Sequence, residues 1–267
     1  MSVAFVSTMN KRLYDFYGSR FIDEFAAHAD EEIKLFIIFE GEIPEELINK
    51  KNNIIAIPLM SENQSQFIKF FGSLYEARGI KVRFFQENGE QKINVSNDYK
   101  FDAIRFSFKP FSIHQSLKYI PENLDYLIWT DADLRCLKNF GYTDLRPFLP
   151  EQKELMTYLG RKNVYSECGF LGFNLNHSEF NNFIERVIGI YTSGEIFSLN
   201  EWHDSWIWDH VRKEFEENDI HFRNISGKGY EHYHPFINSG LEKLFDHLKG
   251  PTRKKDGLSP KHDYMNS

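Results

Sequence analysis

The chain has 267 residues, 41% of them hydrophobic, with a formal net charge of −7 and a pI near 5.8. That length suits one large α/β domain or two small ones, and the apolar content is ample for a packed core. The acidic balance excludes a general nucleic-acid binder, which needs a basic surface, so an anionic ligand must be met by a local cluster of cations or by a metal.

Residues 3–6 form a short apolar run that predicts a buried first strand, and Tyr14, Tyr17, Phe21 and Phe25 then recur at helical spacing. Two more buried strands are expected at 33–39 and 54–59, the first ended by Gly41 with Pro44 and the second by Pro58. Phe67, Phe70, Phe71, Leu74 and Tyr75 predict one apolar helical face across 65–79, with Gly79 as its stop. Residues 81–103 are polar and mixed, with a turn at Asn88-Gly89, and fit either a surface hairpin or an irregular excursion. Phe111, His114, Leu117 and Lys118 suggest a short helix ending before Pro121, followed by the apolar strand 126–129.

Strands are expected at 154–159, 169–175 and 220–225. Ser178 opens a helix carrying Phe180, Phe183, Ile184, Val187, Ile188 and Tyr191, closed by Gly194, and a further helix runs over 204–217. The alternation of strands and helices predicts an α/β fold, a mostly parallel mixed sheet with helices on both faces. The expected division is a single domain over 1–250 and a basic, turn-rich tail over 251–267, mobile without a ligand.

Cys136 and Cys168 are too few for a disulfide framework and predict a reducing cytosol. The N-terminal residues lack the basic start and long apolar stretch of a signal peptide. No window approaches the roughly 20 apolar residues of a membrane span, so a soluble chain is expected, with work beside a membrane left open. The 26 Phe and 13 Tyr read mainly as an aromatic core, because counting does not separate core rings from sugar-stacking ones.

Three constellations carry chemistry. In Tyr126-Leu-Ile-Trp-Thr-Asp131-Ala-Asp133, a buried strand delivers two carboxylates to the carboxyl rim of the sheet, where open α/β folds bind ligands. Hard oxygen ligands there suit Mg²⁺ or Mn²⁺ and, through it, a diphosphate; a turn cap at Asp133 and a solvated Asp131 are the structural alternative. Near the C-terminus, His247, Lys249, Gly250, Arg253, Lys254 and Lys255 offer an imidazole and counter-charges for phosphate, or only a solubilising tail. In Glu201-Trp-His203-Asp204-Ser-Trp206-Ile-Trp208-Asp209, the rings of Trp202, Trp206 and Trp208 suit an acceptor sugar and a carboxylate suits its hydroxyl proton. Equally, Trp202, Trp206 and Asp209 fit helix docking, and Asp204 fits an N-cap. His232 and His234 form one more polar cluster, which packing beside Pro235 explains, and they are left out of the site.

An Asp-X-Asp after a central strand, a later His followed by Lys and Gly, and the intervening segment 168–174 resemble, in motif and order, the GT-A glycosyltransferases, especially transferases of bacterial or viral surface polysaccharides. The resemblance implies a GT-A fold and sugar transfer from a nucleotide diphosphate sugar, UDP-linked in preference to GDP-linked, to a hydroxyl of a glycan or related acceptor. It implies that Asp131, Asp133 and His247 hold Mn²⁺ or Mg²⁺, with Lys249 and Arg253 sharing the diphosphate charge. Ser7 and Thr8, with Tyr14 behind them, would grip the nucleoside, and Arg105 and Lys109 would face the donor unless they only snorkel from a helix. Asp204 would be the acceptor-side base, with His203 and Glu201 as substitutes. A nucleotidyltransferase would also use paired aspartates and a metal, but Ser7-Thr-Met-Asn-Lys11 is a poor phosphate loop. A non-catalytic carbohydrate-binding protein would keep the aromatics without the metal.

Overall fold

In a computed structural model, which describes residues 1–48, 50–88 and 90–265, the strongly apolar segments build one central sheet. Its strands are β1 (Val3–Asn10), β2 (Lys34–Glu40), β3 (Ile54–Pro58), β6 (Tyr126–Thr130), β8 (Glu154–Arg161), β9 (Val164–Asn174) and β10 (His221–Asn224); their order is β10-β8-β9-β6-β1-β2-β3. β1 pairs in parallel with β2 and β6, β2 with β3, and β8 with β10, whereas β9 runs antiparallel to both β6 and β8. The sheet is therefore mixed and mostly parallel. Parallel strands buried on both faces read as continuous apolar runs, which is why Ala4, Val6, Phe36, Ile38 and Leu127 are as buried as Phe5, Leu35 and Ile128.

Alternation along each strand divides those side chains between two cores. Val3, Phe5 and Met9 join α1 (Ser19–His28) through Phe21, Ile22 and Phe25. There Phe25 meets Phe5 and Phe140 edge to face, at centroid separations of 5.1 and 5.6 Å. On the other face, α2 (Glu62–Phe71), α3 (Ala103–Ser116), α4 (Phe180–Thr192) and α5 (Asp204–Glu216) cover Ala4, Val6, Leu127 and Trp129. No helix among the described residues is long and apolar enough to cross a membrane.

Several local expectations change. The apolar face across 65–79 is not one helix: α2 ends before Gly72, and Phe70, Leu74 and Tyr75 are exposed while Phe67 is buried. Gly79 takes its expected left-handed conformation, φ +68°, where its Cβ would strike the Asp98 carbonyl. Residues 81–103 resolve into a surface hairpin, β4 (Ile80–Glu87) and β5 (Glu90–Asn97), with Asn88 at positive φ; Gly89 of the expected turn lies outside the described residues. The short helix at 111–118 is the end of the longer α3, which Asp102 caps and which contains Pro110. The strand expected at 169–175 starts earlier, at Val164, and runs against its neighbours.

The remaining ladder matters most to the site. β7 (Leu134–Cys136) pairs antiparallel with β11 (Phe245–His247), setting Leu134 opposite His247. Leu248 N then donates to Asp133 O at 3.2 Å. The segment that follows is folded against this ladder: α6 (Gly250–Asp256) leads to Gly257, and Ser259 and Asp263 are buried. Asp263 receives Arg253 Nη2 at 2.6 Å, and the Gly257 carbonyl receives Arg135.

Candidate functional site

β6 carries Asp131 to the carboxyl rim of the sheet, where its N–H donates to Gly169 O at 3.2 Å and its Oδ1 accepts from Trp129 Nε1 at 3.1 Å. Asp133, two residues on, is buried at the start of β7. The β7–β11 ladder swings His247 over it, with Nε2 at 3.2 Å from Asp133 Oδ1 and 3.8 Å from Asp131 Oδ2. Asp131, Asp133 and His247 each offer one ligand atom, and those atoms lie within 4.8 Å of one another.

The imidazole is fixed from behind by a residue that sequence reasoning missed. Glu167, buried on β9, accepts from His247 Nδ1 at 2.6 Å, which directs Nε2 toward the two aspartates. Lys249 Nζ donates to the other Glu167 oxygen at 2.6 Å. His234, which the sequence reading set aside, belongs here too: its Nε2 donates to His247 O at 2.9 Å, and its Nδ1 lies 3.6 Å from Glu167 without a hydrogen bond. Gly169 gives the imidazole its room, since a Cβ there would stand 2.7 Å from His247 Cε1.

Cations complete the cluster. Lys109 lies on the buried face of α3, not snorkelling from it: Nζ is 2.5 Å from Asp204 Oδ2, 3.0 Å from Asp131 Oδ1 and 2.8 Å from Cys168 O. Lys254 of α6 reaches Asp133 Oδ2 at 2.6 Å. Among the described residues, Asp131, Asp133, Asp204 and Glu167 thus face Lys109, Lys249, Lys254 and His247. Burial opposes charge on Lys109, but Asp131 and Asp204 hold its ammonium above the usual lysine range. Burial likewise opposes charge on His247, yet Asp133 outweighs it and pushes the imidazole up to about 10. Burial would raise the carboxyls of Asp133 and Glu167; His247 and Lys254 instead hold the first below the carboxylate range, and Lys249 foremost holds the second there.

These residues fit a hard divalent cation. Two carboxylates and one imidazole with its second nitrogen held by a carboxylate are a recurrent donor set, and Asp133 Oδ1 is buried facing His247 Nε2 at 3.2 Å.

Other expected residues are placed differently. Ser7 is fully buried with its Oγ unpartnered, and Thr8 Oγ1 donates to Ile38 O at 2.7 Å, so neither hydroxyl is turned to a ligand. The polar groups at that rim are Asn10 and Glu40, 3.3 Å apart, and burial raises the Glu40 carboxyl. Arg105 is exposed and stacks near Phe106 at 5.3 Å. Arg253 is committed to Asp263, so Lys254 supplies the tail's charge to the aspartates. Asp204 is the first helical residue of α5, and the N-cap is His203, whose Nδ1 accepts from Trp206 N at 3.4 Å. His203 Nε2 is held by Glu201 at 2.7 Å, and Glu201 also receives Lys100 at 2.6 Å. Of the three tryptophans, Trp208 is in the core, Trp202 donates to Leu199 O at 3.0 Å, and Trp206 lines a cavity.

No family model and no curated protein matches the chain. Among solved structures it is similar to a glycosyltransferase involved in glycosylation of the major capsid of PBCV-1, with 10% identity, a TM-score of 0.49, and coverage of 96% of this chain and 98% of that one. It is similar to apo mouse xyloside xylosyltransferase 1, with 11% identity, a TM-score of 0.47, and coverage of 84% and 85%. It is also similar to the apo form of the glycosyltransferase GlyE of Streptococcus pneumoniae TIGR4, with 14% identity and a TM-score of 0.48; 85% of this chain is covered, and it spans 46% of GlyE.

Proposed function

We propose that the chain is a metal-dependent glycosyltransferase that moves a sugar from a nucleotide diphosphate sugar to a hydroxyl of a glycan or related acceptor. The observation that carries this reading is the convergence of Asp131, Asp133 and His247 at the carboxyl rim of the central sheet, with ligand atoms within 4.8 Å. Mn²⁺ or Mg²⁺ bound there would neutralise the charge that builds on a diphosphate leaving group.

The chain's own residues do the rest of the work in this proposal. Glu167 holds the Nδ1 proton of His247 and keeps Nε2 on the aspartates. Lys109 and Lys254 already neutralise Asp131 and Asp133, and each is placed to turn its ammonium to phosphate oxygens when a donor enters. Lys249 is tied to Glu167 and orients it. Nucleoside recognition falls to Asn10 and Glu40 at the ends of β1 and β2, with UDP favoured over GDP. Asp204 is the acceptor-side base: Lys109 occupies Oδ2, and removal of the acceptor proton by this carboxylate during direct displacement would invert the anomeric centre.

Calorimetry with UDP and GDP, with and without Mn²⁺, tests the reading. Metal-dependent binding of a nucleoside diphosphate, lost in Asp133→Ala, is the expected result. Absence of binding in every arm would overturn it. Equal binding with EDTA would assign the diphosphate to Lys109 and Lys254 alone, the reading that their contacts with the aspartates favour next.

A further inference from the structure

Ser166 and Glu167 are neighbours on β9 and face opposite sides of the strand. Glu167 meets His247, whereas Ser166 gives both its N–H and its hydroxyl to Asp209 of α5, each at 2.7 Å. On that second side a cavity of about 570 Å³ opens between the β8–β9 turn and α5.

The acids of this cavity are already neutralised. Asp209 is bonded to Ser166 and Arg212, and Glu201 to Lys100 and His203. Its cations are not all used. Arg161 donates Nε to Tyr165 O at 2.8 Å and its guanidinium lies 5.0 Å from the Tyr165 ring centroid, so the two terminal amino groups of its fork have no hydrogen-bond partner among the described residues. Lys213 likewise has no ion-pair partner among them. In a chain of net charge −7, this cavity carries surplus positive charge. Tyr158, Tyr165, Tyr230 and Trp206 supply flat apolar surface, and Trp206 Nε1 is buried with no hydrogen-bond partner. A buried N–H without a partner is unfavourable until something supplies an acceptor oxygen.

Flat rings, one unsatisfied donor and a guanidinium whose terminal N–H groups are unused together describe a sugar ring bearing a carboxylate. Resting on the glycosyltransferase reading, we propose that this cavity is an acceptor subsite for an acidic sugar unit, its carboxylate on Arg161 and a hydroxyl oxygen accepting from Trp206 Nε1. Glu201, which lines the cavity, holds His203, and the next residue, Asp204, reaches Lys109, so three consecutive contacts lead from the cavity to the proposed transfer site.

The test is calorimetric titration of the full chain, without metal or donor, with trigalacturonate, maltotriose and glucose 6-phosphate. Trigalacturonate is expected to bind most tightly, weakened about tenfold or more by Arg161→Met and about fivefold by Trp206→Phe, which keeps a ring and removes the donor. No binding of trigalacturonate overturns the proposal. So does binding that both variants leave unchanged, or tighter binding of maltotriose or the sugar phosphate. Parallel titration with Mn²⁺ and UDP keeps the two readings apart. Both variants should bind these as the parent does, and a parent that binds trigalacturonate but no nucleotide sinks the transferase reading while the acidic-sugar site stands.

Discussion

The imidazole of His247 occupies the space in which a side chain on residue 169 would lie: a Cβ on Gly169 would stand 2.7 Å from His247 Cε1 and 2.9 Å from Nδ1. Gly169 also accepts the Asp131 N–H, so one short backbone segment supports two members of the cluster. Gly169→Ala should therefore displace the ring and weaken Mn²⁺ binding by about 10–100-fold, the range for a lost supporting contact, as read by electron paramagnetic resonance of free Mn²⁺. Unchanged affinity would mean that His247 is not a ligand.

Glu167→Gln keeps shape and burial but replaces the carboxylate that receives His247 Nδ1. Mn²⁺ affinity should fall by about 10–100-fold while the far-ultraviolet dichroism of the chain is retained. Loss of the fold together with affinity would reassign Glu167 to a purely structural role, since it is also the partner of Lys249.

Asp133→Ala removes the buried carboxylate that His247 and Lys254 share. Donor turnover should drop below detection, together with metal-dependent UDP binding. A variant as fast as its parent would dispose of the proposed metal site.

Asp204→Asn is expected to abolish transfer with donor binding retained. Its Oδ2 is 2.5 Å from Lys109, which also contacts Asp131, so the outcome separates two roles. Weakened UDP binding would place Asp204 with the donor-side charges and leave another group as base.

The segment after α6 should open in acid. Arg253 foremost, with Tyr233, holds the Asp263 carboxyl at about 2, below its ordinary 3.8. A depressed folded value means that the contact stabilises fully above about 4 and is lost as pH falls toward 2. Pepsin should cut near Leu258 progressively across that window, and Asp263→Asn should expose the same site to a neutral-pH protease. Resistance of the variant at neutral pH would remove Asp263 as the anchor.

Much of the architecture was legible because it depends on periodic burial. β1, β2 and β6 are buried on both faces and therefore announce themselves as apolar runs, and α4 shows its apolar face in Phe180, Phe183, Val187 and Tyr191. Asp131 and Asp133 were visible as the polar end of such a run. Glu167 was not, because a single carboxylate has no spacing to read; its signal is an ionisable residue inside an otherwise buried strand. The pattern at 111–118 shows only the end of α3, and it takes the full length of that helix to show that Lys109 lies on its buried face. His234 looked like a packed loop residue, and it is packed, but against His247. The exchange of Arg253 for Lys254 follows from Asp263, a partner ten residues away that no local pattern indicates.

The β7–β11 ladder has a consequence for the order in which the molecule comes into being. Every strand of the central sheet is complete by Asn224, but His247 arrives on β11 and Lys254 on α6. A chain emerging during synthesis can pair every strand of its sheet while Asp131 and Asp133 still lack the imidazole and the ammonium that face them, and Phe245, on the same strand as His247, completes the core on the Phe5 face as the imidazole arrives. Structure is thus laid down first and the charged centre is closed last, so an interrupted chain would be a folded body without the chemistry.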